Sequence, residues 1–126
     1  MERRHHGNLI ASFRHAIEGL GYVVRNERNA RIHSVMAGLV VALGIWLKIT
    51  PLEWTLIMAA IALVFAGEML NTVVELTLDL VMPEENPLAK HAKDVAAGAI
   101  LVASVAAAVI GLIILGPPLW RALFRL

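Results

Sequence analysis

The chain has 126 residues and a mass of 13.7 kDa, with 59 % hydrophobic residues, 17 % charged residues and a formal net charge of +1. A soluble domain is about 45–50 % apolar and about 25 % charged, and a fold this small buries only part of its surface. The balance excludes a disordered chain or a basic nucleic-acid module, argues against a soluble enzyme and points to the membrane, while the absence of cysteine excludes disulfides, thiolate metal sites and cysteine catalysis.

Length allows one domain, residues 1–126. The first 33 residues hold most of the positive charge, and three of the five histidines, His5, His6 and His15, come before Arg31. No uninterrupted apolar core and no small-residue cleavage site follow the early arginines, so the segment does not read as a signal peptide. His5 and His6 read as a solvated tail in preference to a metal pair. Leu9, Phe13, Ile17, Leu20 and Val24 recur at helical spacing, with Arg14, His15 and Glu18 between them. That pattern predicts an amphipathic helix on the membrane surface, within residues 8–30, in preference to a soluble helix packed on a core. Gly19 and Gly21 open a dinucleotide-like pattern, but the third glycine and the preceding strand are missing.

Three apolar segments follow, expected as membrane spans over residues 33–50, 52–81 and 94–116. Lys48 to Glu53 is a tight connection containing Pro51, flanked by Trp46 and Trp54 as an interfacial belt. Residues 82–93 read as a polar loop with Pro83 and Pro87. The fold class is therefore all-α and integral to the membrane: three antiparallel spans and an amino-terminal surface helix. Arg3, Arg4, Arg14, Arg25, Arg28, Arg31, Lys90 and Lys93 fall on one side, against Lys48, Arg121 and Arg125 on the other. The positive-inside rule then puts the amino terminus and the second loop in the cytoplasm of a multi-pass cell-membrane protein. In the third span Ala99, Ala103, Ala107 and Gly111 form a small-residue stripe that predicts close helix approach and homo-oligomerisation.

The second span carries charges that a lipid-facing helix does not tolerate. Glu68, Asn71, Glu75 and Asp79 are separated by three, four and four residues, so they share one helix face. At roughly 1.5 Å per residue Glu68 lies about 21 Å along the helix from Trp54, inside a hydrocarbon layer about 30 Å thick. An ionisable residue at such depth is a functional candidate by default. The bland reading is a paired or protonated structural carboxyl, which does not explain four aligned polar groups. A carboxylate in apolar surroundings can act as a general base near neutral pH. Glu27 and Glu75, nearer the water boundary, are candidates to hold Mg²⁺, a hard cation that takes oxygen ligands and substrate phosphates. Lys93 and Asp94 lie in the same layer, and a lysine neutralises phosphate as a point charge. These parts suit phosphoryl transfer without a Walker loop. The pattern alone also fits a proton-coupled transporter with one membrane glutamate, or a structural membrane subunit with neither activity.

Three blocks carry a resemblance. Glu68-Met69-Leu70-Asn71-Thr72-Val73-Val74-Glu75 with Asp79, then Ala92-Lys93-Asp94 running into Val95-Ala96-Ala97-Gly98-Ala99, and Asn26-Glu27-Arg28-Asn29-Ala30-Arg31-Ile32-His33 are similar to the prokaryotic diacylglycerol kinase family over roughly residues 9–115. The resemblance implies a homotrimeric membrane kinase with sites between subunits, in which Mg-ATP phosphorylates a lipid hydroxyl at the cytoplasmic interface. It implies Glu68 as catalytic base and lipid-hydroxyl contact, and Glu27 and Glu75 as metal and ATP-phosphate carboxylates. It implies Asn71 as active-centre support, Lys93 and Asp94 as nucleotide contacts, and Glu84 as an acidic loop residue near the nucleotide. Asp79 belongs to the same block as further support. In the diacylglycerol branch a tyrosine contacts ATP where this chain has His15, a loop histidine stands at Asn86, and a glutamate stands at His33. The Asn26–His33 block and Asn86-Pro87-Leu88-Ala89-Lys90 look more like the undecaprenol kinase branch. Undecaprenol is therefore the expected acceptor, with diacylglycerol as the alternative.

Overall fold

The structure, a computed structural model, describes residues 8–125, so His5, His6 and the arginines beside them lie outside the described residues. Four helices follow in order: α1 (Leu9–Asn26), α2 (Arg28–Leu47), α3 (Pro51–Val81) and α4 (Pro87–Phe124). Among the described residues there is no strand. α2, α3 and α4 are long and apolar enough to cross a membrane. At about 1.5 Å per residue they span about 30, 46 and 57 Å, so α3 and α4 overrun a hydrocarbon layer about 30 Å thick.

Local chemistry sets each boundary. Asn8 caps α1 by accepting from Ile10 N at 3.2 Å. α1 and α2 are separated by a single extended residue, Glu27 (φ −102°, ψ 118°), which ends the first helix and opens the second. Arg31 Nη1 donates to Arg25 O at 2.7 Å and Asn26 Nδ2 to Tyr22 O at 2.8 Å across this joint. α2 closes in a Schellman motif: Ile49 N donates to Gly44 O at 3.2 Å and Lys48 N to Ile45 O at 3.3 Å. Lys48 sits left-handed (φ 53°), the position usually taken by glycine. Thr50 and Glu53 form a reciprocal capping box around Pro51, with Thr50 N donating to Glu53 Oε2 at 2.7 Å and Glu53 N to Thr50 Oγ1 at 3.2 Å.

The connection expected over residues 82–93 is shorter. Asn86 Oδ1 accepts from Leu88 N at 2.8 Å and Ala89 N at 3.4 Å, with Pro87 in the first helical position, so α4 starts there. Hydropathy misses this turn because residues 87–93 are helical and polar together, a helix end standing clear of the apolar layer. For the same reason α2 begins at Arg28 instead of residue 33, and the surface helix stops at Asn26. α4 also continues through Pro117 and Pro118 to Phe124, past the expected end at 116.

α3 and α4 share the most extensive contact, and α2 lies against both. The pairing is antiparallel: Ile57 packs with Ile114 and Leu115, Gly67 faces Ile100, and Asp79 meets Lys93. The core cluster of Ile49, Ile57, Ile114 and Leu115, flanked by Trp54, lies at the α2–α3 turn. The small-residue stripe of α4 is divided. Ala103 is buried inside the chain and Ala107 and Gly111 line a groove against α2 and α3, while Ala99 is exposed. α1 buries only Val23, and its stripe Leu9, Phe13, Ile17 and Leu20 is exposed.

The hairpin of α2 and α3 depends on one missing side chain. A β-carbon on Gly44 would stand 2.8 Å from Trp54 Cη2 and 3.1 Å from Ile49 Cδ1. Both neighbours are core groups with little room to give. Gly44→Ala is expected to destabilise the chain by about 1–3 kcal/mol, as overpacking does, and thermal unfolding in detergent measures it.

Candidate active site

The polar face of α3 is graded along its length. Glu68 is 1 % exposed and Asn71 8 %, Glu75 is half-buried, and the Asp79 side chain is 64 % exposed. A helix running out of an apolar interior toward water produces that gradient when all four residues keep one face. Among the described residues Glu68 is the largest side chain fully buried. Thr72, also buried, spends its hydroxyl on Glu68 O at 2.9 Å, so it is satisfied within the helix.

Two groups of side chains form near this end of the bundle. In the first, His33 of α2 reaches Glu68, with Nε2 3.2 Å from Oε1. The distance is that of a contact, but the direction does not complete a hydrogen bond, and Glu68 Oε1 has no hydrogen-bond partner. Asn71 Nδ2 donates to Glu75 Oε1 at 3.3 Å, which leaves the second Glu75 oxygen free. Glu27 and Glu75 both lie near enough to bear electrostatically on Glu68. The Glu27 side chain makes no capping hydrogen bond although the residue sits in the N-cap position of α2. Its carboxylate makes no hydrogen bond among the described residues, and it benefits from the positive end of the helix dipole.

The second group surrounds a depression of about 660 Å³ where the α3–α4 connection turns, lined by Asp79, Glu84, Asn86, Lys90 and Lys93. Lys93 Nζ lies 2.6 Å from Asp79 Oδ1, tying α4 to α3. The pair is largely exposed, at 41 % and 64 %, so its importance is placement and not stability. Lys90 Nζ holds Asp94 Oδ2 at 2.7 Å, one helical turn away. Glu75 bears on Lys93 as well as on Glu68 and so stands between the two groups.

The structure therefore brings Glu27, Glu68, Asn71 and Glu75 together, and separately Asp79, Glu84 and Lys93. Asp94 is engaged with Lys90 and does not line the depression. His15 pairs with Glu18 of its own helix, Nδ1 to Oε2 at 3.3 Å, and joins neither group. Asn86, expected where a loop histidine stands in the resembling family, is the cap of α4. His33 was not among the expected site residues. The signal for it was indirect: His33 stands where the diacylglycerol branch has a glutamate, but its partner lies 35 positions away. Among the described residues no three His, Asp or Glu side chains converge tightly enough to enclose a metal ion within one chain.

An apolar groove of about 410 Å³ runs between α2, α3 and α4 beside the first group. Its walls include Met36, Ile61, Val64 and Phe65, and the polar groups facing it are His33 and Ser104. A buried carboxylate, flanking acids, a lysine near the boundary and an apolar trough together suit a reaction on the hydroxyl of a lipid.

Comparison with known proteins agrees. Residues 14–115 match the family model for prokaryotic diacylglycerol kinase. Undecaprenol kinase of Bacillus subtilis (strain 168) is 39 % identical over 94 % of this chain and 100 % of its own length. Diacylglycerol kinase of Synechocystis sp. is 38 % identical over 89 % of this chain and 65 % of that protein. Diacylglycerol kinase of Haemophilus influenzae is 30 % identical over 76 % of this chain and 81 % of that protein. These matches support a lipid kinase and lend nothing to a transporter. The chain belongs to the prokaryotic diacylglycerol kinase family.

Proposed function

We propose that the chain transfers the γ-phosphoryl group of ATP to the hydroxyl of a membrane lipid, with undecaprenol as the acceptor. The observation that carries this reading is Glu68, fully buried beside an apolar groove and flanked by two half-buried carboxylates. Glu68 takes the proton of the lipid hydroxyl as the oxygen attacks phosphorus, which contributes about 10²–10⁴-fold in such reactions. Asn71 orients Glu75 through its amide. Lys93, drawn to the boundary by Asp79, contacts phosphate oxygens as a point charge. Glu84, which lines the same depression as Lys93, adds a nucleotide contact, whereas His15 and Asp94 are held by Glu18 and Lys90 and are left out of this reading. Much of the rate comes from positioning and charge stabilisation, as phosphoryl transfer allows.

Glu27 and Glu75 fit a Mg²⁺ ion, because both carboxylates keep oxygen free and Mg²⁺ is bound by one or two carboxylates together with substrate phosphates. The ion would neutralise charge on the phosphates.

The working form is a homotrimer in the cell membrane, with the amino terminus and the site on the cytoplasmic side and α1 on the surface. Val95, Leu101, Val102 and Val105 of α4 stand exposed, apolar surface that lipid and neighbouring subunits would cover. The arginines and lysines gathered at the site end support the orientation.

The acceptor is tested by presenting undecaprenol and diacylglycerol together to the purified protein with labelled ATP. Faster label transfer to undecaprenol is expected. The Bacillus relative, matched over its whole length, carries that name. A preference for diacylglycerol would return the chain to the activity in the family's own name, and label on neither would overturn the reading.

A further inference from the structure

A base as deeply buried as Glu68 has a problem after each turnover. It holds a proton and is only 1 % exposed, so water cannot collect that proton directly. Among the described residues one titratable side chain lies in contact with it, His33, whose Nε2 is 3.2 Å from Glu68 Oε1. That oxygen has no hydrogen-bond partner, so it is open to a donor or acceptor. The His33 side chain is 24 % exposed and lies within two turns of Arg28 and Arg31 at the charged end of α2, so it stands between the buried acid and the polar end of the bundle. The two residues come from different helices, α2 and α3, and no local rule of helix packing requires a histidine there.

We infer that His33 is the proton exit of the site, a positioning residue that acts through Glu68 by taking up the proton Glu68 has removed from the lipid hydroxyl. The inference rests on Glu68 being the base. In the transfer the hydroxyl O–H bond breaks and its oxygen forms a bond to the γ-phosphorus of ATP. The bond from that phosphorus to the β–γ bridging oxygen breaks, and its electron pair leaves with ADP. The proton goes to the Glu68 carboxylate, then to His33 Nε2, and from the imidazolium to water. Glu68 is a carboxylate again, ready for the next hydroxyl.

This role separates the first turnover from those that follow. His33→Gln and His33→Asn keep a polar side chain against Glu68 but cannot take the proton. In rapid-quench experiments with ATP and lipid in detergent, both variants are expected to complete the first turnover at a rate within about threefold of the parent. Their steady-state kcat falls at least tenfold, the order of a lost proton-transfer partner, while KM for ATP and lipid changes little. Added imidazole is expected to restore steady-state turnover in His33→Ala, since a small base fits the space left. Size-exclusion elution and circular dichroism verify that each variant is folded, and the two amide variants carry the test if the alanine variant is not. Unchanged kcat in His33→Gln and His33→Asn would overturn the inference. So would equal loss of the first and later turnovers with no rescue, which is what a merely structural histidine predicts. Glu68→Gln in the same assay separates the two claims. Loss of its first turnover beside an unaffected His33→Gln removes only the role of His33, whereas an intact first turnover in Glu68→Gln removes Glu68 as base.

Discussion

Glu68→Gln abolishes phosphoryl transfer while leaving the protein folded and no less stable. The expected loss in kcat is about 10²–10⁴-fold, the contribution of a positioned general base. Glutamine keeps the size of the side chain and its place in α3, so packing around residue 68 is preserved. It removes an ionisable group from a site 1 % exposed. Burial of a charge costs several kcal/mol unless it is well paired, and the His33 contact falls short of a hydrogen bond. Thermal unfolding in detergent should therefore give a Tm equal to or above that of the parent. A variant with parental turnover would sink Glu68 as the base. A variant that is inactive but also loosely folded would instead mark Glu68 as a structural residue.

Glu75→Gln is expected to slow the reaction about 100-fold and to raise the Mg²⁺ concentration for half-maximal rate at least tenfold. The amide oxygen of glutamine can still accept from Asn71, so the helix face is undisturbed. What is lost is the charge that holds the cation. Asn71→Leu tests the same arrangement from behind: it frees Glu75 to rotate, and removal of such orienting partners costs about 10–100-fold in metal affinity or activity. The two effects should not add, because Asn71 acts through Glu75. Rate measured against Mg²⁺ concentration for the two single variants and the double variant decides it. An unchanged Mg²⁺ dependence in Glu75→Gln would remove Glu75 as a ligand while leaving Glu68 untouched.

Much of this was legible in one dimension. Three long apolar runs specify three spans because lipid offers backbone groups no partner, so each span must satisfy its own hydrogen bonds as a helix. The spacing of Glu68, Asn71, Glu75 and Asp79 specifies a single polar face because the helical period is fixed. Even the order of burial along that face follows from the distance of each residue to the charged turn. Helix ends were harder. Residues 87–93 are polar and helical at once, and only the Asn86 cap and Pro87 separate that case from a loop.

The sequence by itself determined the helical class, the polar face of α3 and the family, since all three rest on spacing along one chain. Tertiary structure alone decided which groups meet across helices. His33 touches Glu68 from 35 residues away, Lys93 reaches back 14 residues to Asp79, and Gly44 makes room for Trp54. Such contacts depend on the rotation and offset of one helix against another. These follow from side-chain packing summed over whole interfaces, which no local spacing records. The same packing turned part of the small-residue stripe of α4 toward a groove within the chain and left Glu27 at a one-residue joint, its side chain making no cap hydrogen bond.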